Sequence, residues 1–190
     1  FMHRVIRLLV LVSAVLTMIL SVGEGQAQGT WTRITAGRGA TCSDGSPYSF
    51  WVRRTESSRL LIYFQGGGAC YDLETCFGWR SFDATGGDDD DPSLPGRDGI
   101  LDFTNPENPF LDYNIVFVPY CTGDFHLGDR VVTWNVDGGG RATMRFKGAA
   151  NARAALNWTY SNFRAPESVF VSGCSAGAVG SAYHAPAIMR

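Results

Sequence analysis

The stretch "SVFVSGCSAGAVGSAYHAPAIM", Ser168 to Met189, decides the fold. Its first six residues are a short apolar run that reads as a strand. The chain then turns through Gly173-Cys174-Ser175-Ala176-Gly177 into a helix-compatible run, "AGAVGSAYHAPAIM". A serine with glycine two residues to either side, set between strand and helix, is the wording of a nucleophile elbow. The glycines are needed because the turn is so sharp that side chains at those positions would collide. Such a turn lifts Ser175 Oγ clear of the sheet, at the N-terminus of the next helix, whose positive end favours a developing anion. The bland alternative is a glycine-rich strand end with an incidental serine.

Working upstream, residues 147–162 predict a helix, with Ala149, Ala152, Leu156, Tyr160 and Phe163 on one apolar stripe. Before it, "YSFWVRR" (48–54), "RLLIYFQ" (59–65) and "NIVFVPY" (114–120) read as strands. Runs that are apolar on both faces indicate parallel strands covered by helices. The expected fold class is therefore α/β, a three-layer sandwich with a mostly parallel sheet.

The strand at 59–65 ends in Gly66-Gly67-Gly68. Acyl transfer needs N–H donors aimed at the oxyanion, and hydrolases of this fold take one from such a loop and one from the residue after the nucleophile. The candidates are Gly67, Gly68 and Ala176. A base is harder to find. Beyond the N-terminal segment only His126 and His184 are present. His184 lies nine residues past Ser175, about 13 Å along a helix axis, and is out of reach of Oγ. His126, with Asp124 close by, precedes the serine, whereas the chain order in this fold is serine, acid, histidine. Both histidines are expected to be structural or cleft-lining. The expectation is that the triad acid and base lie past Arg190, so that residues 28–190 are the N-terminal part of one hydrolase domain, stopping before its C-terminal strands.

Composition sets the compartment. His3, Arg4 and Arg7 precede an apolar run from Leu8 to Val22, followed by Gly25 and Ala27 at the −3 and −1 positions of a cut after Ala27. This predicts a secretory signal peptide over residues 1–27. A membrane anchor is the weaker reading, because a spanning helix wants about 20 apolar residues. Removing the segment leaves a net charge of −3, so no basic field calls for nucleic acid. The exported protein is expected to be secreted or periplasmic, off the membrane once cleaved. Export also favours disulfides among the five cysteines. Cys70 and Cys76 lie close enough around a loop to bridge, but spacing does not choose the connectivity, and no C-x-x-C or histidine spacing suggests a metal. The segment 81–108 carries the run Asp88 to Asp91, three prolines and almost no periodicity. It reads as a solvated acidic loop rather than a calcium site, whose carboxylates are usually spaced, and as a candidate cleft wall.

Five blocks in order resemble the pectin acetylesterase and Notum group of α/β-hydrolases. They are "CSDGSPYSFWVRR", "LLIYFQGGGACYDLETCFG", "GILDFTNPENPFLDYNIVFVPYCTGDFHLGD", "RFKGAANARAAL" and "VFVSGCSAGAVGSAYHAPAIM". The "GCSAG" and "GGGAC" wording looks closer to the pectin acetylesterase side. Family members often carry two glycines after the elbow alanine, where this chain has Gly177-Ala178. The resemblance implies Ser175 as nucleophile of a Ser-Asp-His triad, disulfides Cys70–Cys76 and Cys42–Cys121 with Cys174 unassigned, and no cofactor or metal. It implies a carboxylic-ester hydrolase that removes O-acyl groups, acetyl foremost, from a polysaccharide such as pectin. The competing readings are a non-catalytic binding protein on the same fold and an inactive truncated product.

Overall fold

A computed structural model of the chain describes residues 29–84 and 90–189. The expected signal peptide and the first half of the aspartate run, Asp88 and Asp89, lie outside the described residues. The elements are β1 (Thr30–Thr35), β2 (Ser49–Arg54), β3 (Arg59–Phe64), β4 (Asn114–Val118), β5 (Arg130–Val136), β6 (Gly140–Phe146), α1 (Gly148–Asn162), β7 (Ser168–Gly173) and α2 (Ala176–Ile188).

Five strands form one sheet in the order β1-β2-β4-β3-β7. β3 pairs in parallel with β4 and with β7, whereas β2 is antiparallel to both β1 and β4. The sheet is therefore mixed, with β2 alone running against the other four. β5 and β6 make a separate hairpin, turned through Asp137-Gly138-Gly139, where Gly138 and Gly139 have φ of 86° and 85°. A three-residue connection this tight places residues at positive φ, which glycine supplies without steric cost.

Two faces of β3 and β4 are buried against different material. Leu60, Ile62, Phe64, Val116 and Val118 pack with Phe50 and Val52 of β2 and with Ala152, Ala155 and Leu156 of α1. Leu61 and Ile115 on the opposite face pack with Tyr63, Ile100, Phe103, Phe110 and Tyr113. Each fully buried Leu, Ile or Val here contributes about 1.5–3 kcal/mol relative to exposure. The expected three-layer, mostly parallel sandwich is thus not what the described residues show: the sheet is mixed, and its second face is covered by residues 100–113, irregular apart from a 3₁₀ turn at Gly99–Leu101. Prolines and the lack of a 3.6-residue period keep this segment from coiling. It is pinned instead by Arg53, whose guanidinium donates to the carbonyls of Tyr113 (3.0 Å) and Leu111 (2.9 Å) and lies 4.5 Å over the Phe103 ring.

Two further expectations are corrected. The buried stripe of α1 runs Ala149, Ala152, Ala155, Leu156 and Thr159, and Tyr160 is outside it at 47% exposure. Thr159 fits because its hydroxyl donates to the Ala155 carbonyl at 2.7 Å. β7, expected to be buried on both faces, exposes Val169 and Phe170, because among the described residues β3 is its sole neighbour in the sheet. The disulfides are Cys42–Cys121 and Cys70–Cys76, as the resemblance implied, and Cys174 is a free, exposed thiol.

Candidate active site

Ser175 stands at the junction of β7 and α2 with φ 52° and ψ −121°. A side chain in that region costs about 1–3 kcal/mol and persists only where the surroundings over-determine it. Here they do. The Gly177 N–H donates to the Cys174 carbonyl at 2.8 Å and that of Ala178 to the Ser175 carbonyl at 2.9 Å, closing the turn. A Cβ on Gly173 would stand 2.2 Å from the Gly177 carbonyl oxygen, and one on Gly177 2.0 Å from that of Phe64. The ends of β7 and β3 and the first turn of α2 are therefore in backbone contact, which only glycine allows. Ser175 is exposed, while Ala176 behind it is buried.

The glycine run meets this turn directly. A Cβ on Gly66 would lie 2.5 Å from the Cys174 carbonyl oxygen and 3.0 Å from Ser175 Cβ. Past it the chain bends into a bridge with Phe82, made by Ala69 N–H to Ser81 O (3.2 Å) and Asp83 N–H to Gly67 O (2.8 Å). Gly68, at φ 76°, would place a Cβ 2.0 Å from the Ser81 carbonyl oxygen. The bridge uses the Gly67 carbonyl and the Ala69 N–H, not the N–H groups of Gly67 or Gly68. Ser175, Ala176 and the glycine run thus share one rim at the C-terminal ends of β3 and β7.

The two histidines sit beneath that rim. His126 Nε2 donates to the Gln65 carbonyl at 2.9 Å, and His184 Nε2 donates to the His126 carbonyl at 3.0 Å. Both acceptors are carbonyl oxygens, so both Nε2 atoms carry hydrogen. The His126 ring meets Phe64 edge-on at 5.2 Å and Tyr120 at 4.8 Å, and the His184 ring stacks on Phe64 at 5.4 Å. Burial pushes the His126 pKa down to about 4 and lowers that of His184. Asp124 leaves the imidazole alone. Its Oδ1 accepts from Thr122 Oγ1 (2.7 Å) and the His126 backbone N–H (3.2 Å), and its Oδ2 from Gly148 N–H (2.8 Å) and Gly128 N–H (3.1 Å). Burial raises the Asp124 pKa while these four donors pull it back. Asp124 therefore caps α1 and fixes a turn; it does not orient a base.

Gln65, Tyr120 and Asp90 complete the support, and sequence reasoning missed all three. Gln65 Oε1 accepts from the Tyr120 N–H at 2.9 Å and its Nε2 donates to Asp90 Oδ1 at 2.6 Å. These partners are 55 and 25 residues apart, and no spacing rule links them. The segment 81–108 divides. Phe82 and Asp83 flank the glycine run, but residues 92–97 and 101–104 line a recess of about 620 Å³ with Trp31 and Arg53. Arg53 pairs with Ile115 near the start of β4, so that recess lies at the end of the sheet opposite Ser175.

The histidines give the fold an acid limit. With an unfolded-state value near 6.5 and a folded value near 4, His126 binds more protons unfolded between those limits. Its contribution is complete above about pH 6.5 and is lost as pH falls toward 4, amounting to roughly 3 kcal/mol. Urea unfolding at pH 7 and pH 4.5 checks this. The loss between the two is expected to shrink in His126→Gln, and an unchanged loss contradicts it.

With this geometry in hand, comparison with known proteins gives one family. Residues 24–190 match the pectinacetylesterase family model. Palmitoleoyl-protein carboxylesterase notum2 of Xenopus laevis is 31% identical over 144 residues, 74% of this chain and 28% of that protein. Pectin acetylesterase 7 of Arabidopsis thaliana is 28% identical over 178 residues, 90% of this chain and 44% of that protein. The chain thus spans less than half the length of either of these two relatives. The crystal structure of the Wnt deacylase Notum from Drosophila superposes with a TM-score of 0.60 at 24% identity, over 85% of this chain and 46% of that one. That match carries the α/β-hydrolase fold. A strand-to-helix elbow with a glycine run docked on it, in a chain that the family model covers from residue 24 to residue 190, places the protein in the pectinacetylesterase family.

Proposed function

We propose that the protein is a secreted serine carboxylic-ester hydrolase that removes O-acyl groups, acetyl foremost, from a polysaccharide such as pectin. The observation that carries the reading is the strained backbone of Ser175 with Gly66 packed against it. Ser175 Oγ attacks the ester carbonyl, forming an acyl-enzyme and expelling the sugar hydroxyl. The N–H groups of Gly67, Gly68 and Ala176 receive the oxyanion, aided by the positive end of α2. His126 and His184 are committed to backbone carbonyls, so the base and its acid partner are assigned to residues following Arg190. The two disulfides fit an oxidising compartment.

The relatives' names divide between a lipid acyl group on protein and acetyl on pectin. The polysaccharide reading is favoured because the match to the plant pectin acetylesterase extends over more of this chain. The test is acetate release from acetylated pectin by the product of the complete coding sequence, beside hydrolysis of p-nitrophenyl palmitate. Acetate release with at least tenfold lower kcat/KM on the palmitate ester is expected. Preference for the long chain overturns the acetyl assignment, and silence on both overturns the hydrolase.

A further inference from the structure

We propose that His126 and His184 are positioning residues for the ester hydrolysis, forming a brace that holds the glycine run in register with Ser175. The inference rests on the hydrolase reading above and assigns work to two side chains that it leaves idle.

The brace begins on the nucleophile's own helix. His184 reaches from α2 to the His126 carbonyl at 3.0 Å, and His126 reaches on to the Gln65 carbonyl at 2.9 Å. α2 also presses on His126 at a second point. A Cβ on Gly180 would stand 2.7 Å from His126 Cδ2, so the helix lies on the imidazole with no side chain between. The far end of the brace is the residue that enters the glycine run. In a planar trans peptide the carbonyl and the following N–H point in opposite directions. Fixing the Gln65 carbonyl on His126 therefore fixes the direction of the Gly66 N–H, and Gly66 is the glycine in contact with Ser175.

The site is built rather than incidental. His126 and Phe125 both have positive φ, 65° and 58°, uncommon for residues bearing a side chain. The turn holding them is fixed by the four bonds to Asp124 and by the Phe125 N–H, which donates to Tyr120 Oη at 2.8 Å. The Tyr120 ring in turn is the atom group a Cβ on Gly67 would strike, at 2.7 Å. The turn thus supports the glycine run from below at Gln65 and at Gly67. The charged or titratable groups that act on the imidazoles are His184 for His126 and Arg153 for His184, whereas Asp124 bonds the His126 backbone N–H and Tyr120 packs its ring on that of His126. The Nε2 atoms of both imidazoles are taken up by backbone carbonyls. Their function here is rigid geometry, and a misplacement of about 1 Å at a reacting centre costs about 10²-fold in rate.

The experiment measures p-nitrophenyl acetate kinetics and thermal unfolding on the product of the complete coding sequence. The proteins compared are wild type, Ser175→Ala, His126→Phe, His126→Gln and His184→Phe. Phenylalanine keeps a ring against Phe64 and removes the donor, and glutamine restores a donor at similar reach. His126→Phe is expected to lower kcat about tenfold to a hundredfold with KM within about twofold, and His184→Phe to lower it about tenfold. His126→Gln should recover most of that loss. Wild-type kcat in either folded phenylalanine variant overturns the brace, as does a kcat loss that glutamine fails to recover at a wild-type unfolding midpoint. If His126→Phe does not fold, His184→Phe and His126→Gln decide by the same readings. Failure of the hydrolase reading looks different: wild type is inactive, or Ser175→Ala retains turnover, and the inference falls with it.

Discussion

Replacing Ser175 with alanine is expected to abolish ester turnover by the product of the complete coding sequence, lowering kcat by at least about 10⁴-fold. The folded state should hardly notice. The serine side chain makes no capping hydrogen bond to α2 and is exposed, and alanine keeps the Cβ that the turn already accommodates. Its unfolding free energy should therefore stay within about 0.5 kcal/mol of wild type, as for other exposed positions. A fluorophosphonate probe separates nucleophile from scaffold, because it forms a covalent bond only with an activated hydroxyl. Peptide mapping should find the adduct on Ser175 in wild type and on no residue in the alanine variant. Ordinary activity in Ser175→Ala, or an adduct elsewhere, contradicts the assignment.

Gly177→Ala is expected to be the most damaging single methyl in the elbow. In a helix interior alanine is normally favoured over glycine by about 1 kcal/mol. Here the added carbon would stand 2.0 Å from Phe64 O, 2.6 Å from Phe64 C and 2.7 Å from Gln65 O. All three are backbone atoms at the end of a strand buried on both faces, so none can swing away as a side chain would. Relief requires α2 to lift from β3, which separates Ser175 from the glycine run. Destabilisation of about 3 kcal/mol or more is expected, with esterase activity lost in the fraction that still folds. Gly37→Ala is the matched control, since a Cβ there meets nothing within 4 Å. Urea midpoints for the two variants check the contrast. A wild-type midpoint for Gly177→Ala would contradict the contact between elbow and strand.

What the sequence disclosed follows from how each signal arises. β3 and β4 stood out because burial on both faces leaves no polar residue within Leu60–Phe64 or Ile115–Val118. β1, "TWTRIT", and the hairpin of β5 and β6 alternate instead and lie largely at the surface, so their runs look like loop. The turn Asp137-Gly138-Gly139 was the available clue to the hairpin. The elbow was legible because its geometry forbids side chains at fixed offsets from Ser175. The direction of β2 was not legible, since a strand with both faces covered reads the same whichever way it runs. Nor was the network of Gln65, Tyr120, Asp124 and the two histidines. Its members are brought together by the sheet order, and the separation of 58 positions between His126 and His184 carries no period. The helical spacing did place His184 away from Ser175 Oγ, and the structure shows it turned to His126.

The strand order also sets a timetable for folding. β4 lies between β2 and β3, so both of these strands leave the ribosome before their common neighbour. β1 and β2 can zip as a hairpin, but β3 must wait some 50 residues for β4, and non-local pairing of this kind is slow. Cys42 has already emerged, Cys70 and Cys76 emerge during that wait, and Cys121, the native partner of Cys42, arrives only just after β4. In an oxidising compartment the early thiols are free to join one another wrongly, and reshuffling such bonds takes seconds to hours unless catalysed. Production of this chain in an oxidising host is therefore expected to rise when a thiol–disulfide isomerase is supplied beside the oxidant, and an unchanged yield of correctly bonded protein contradicts this.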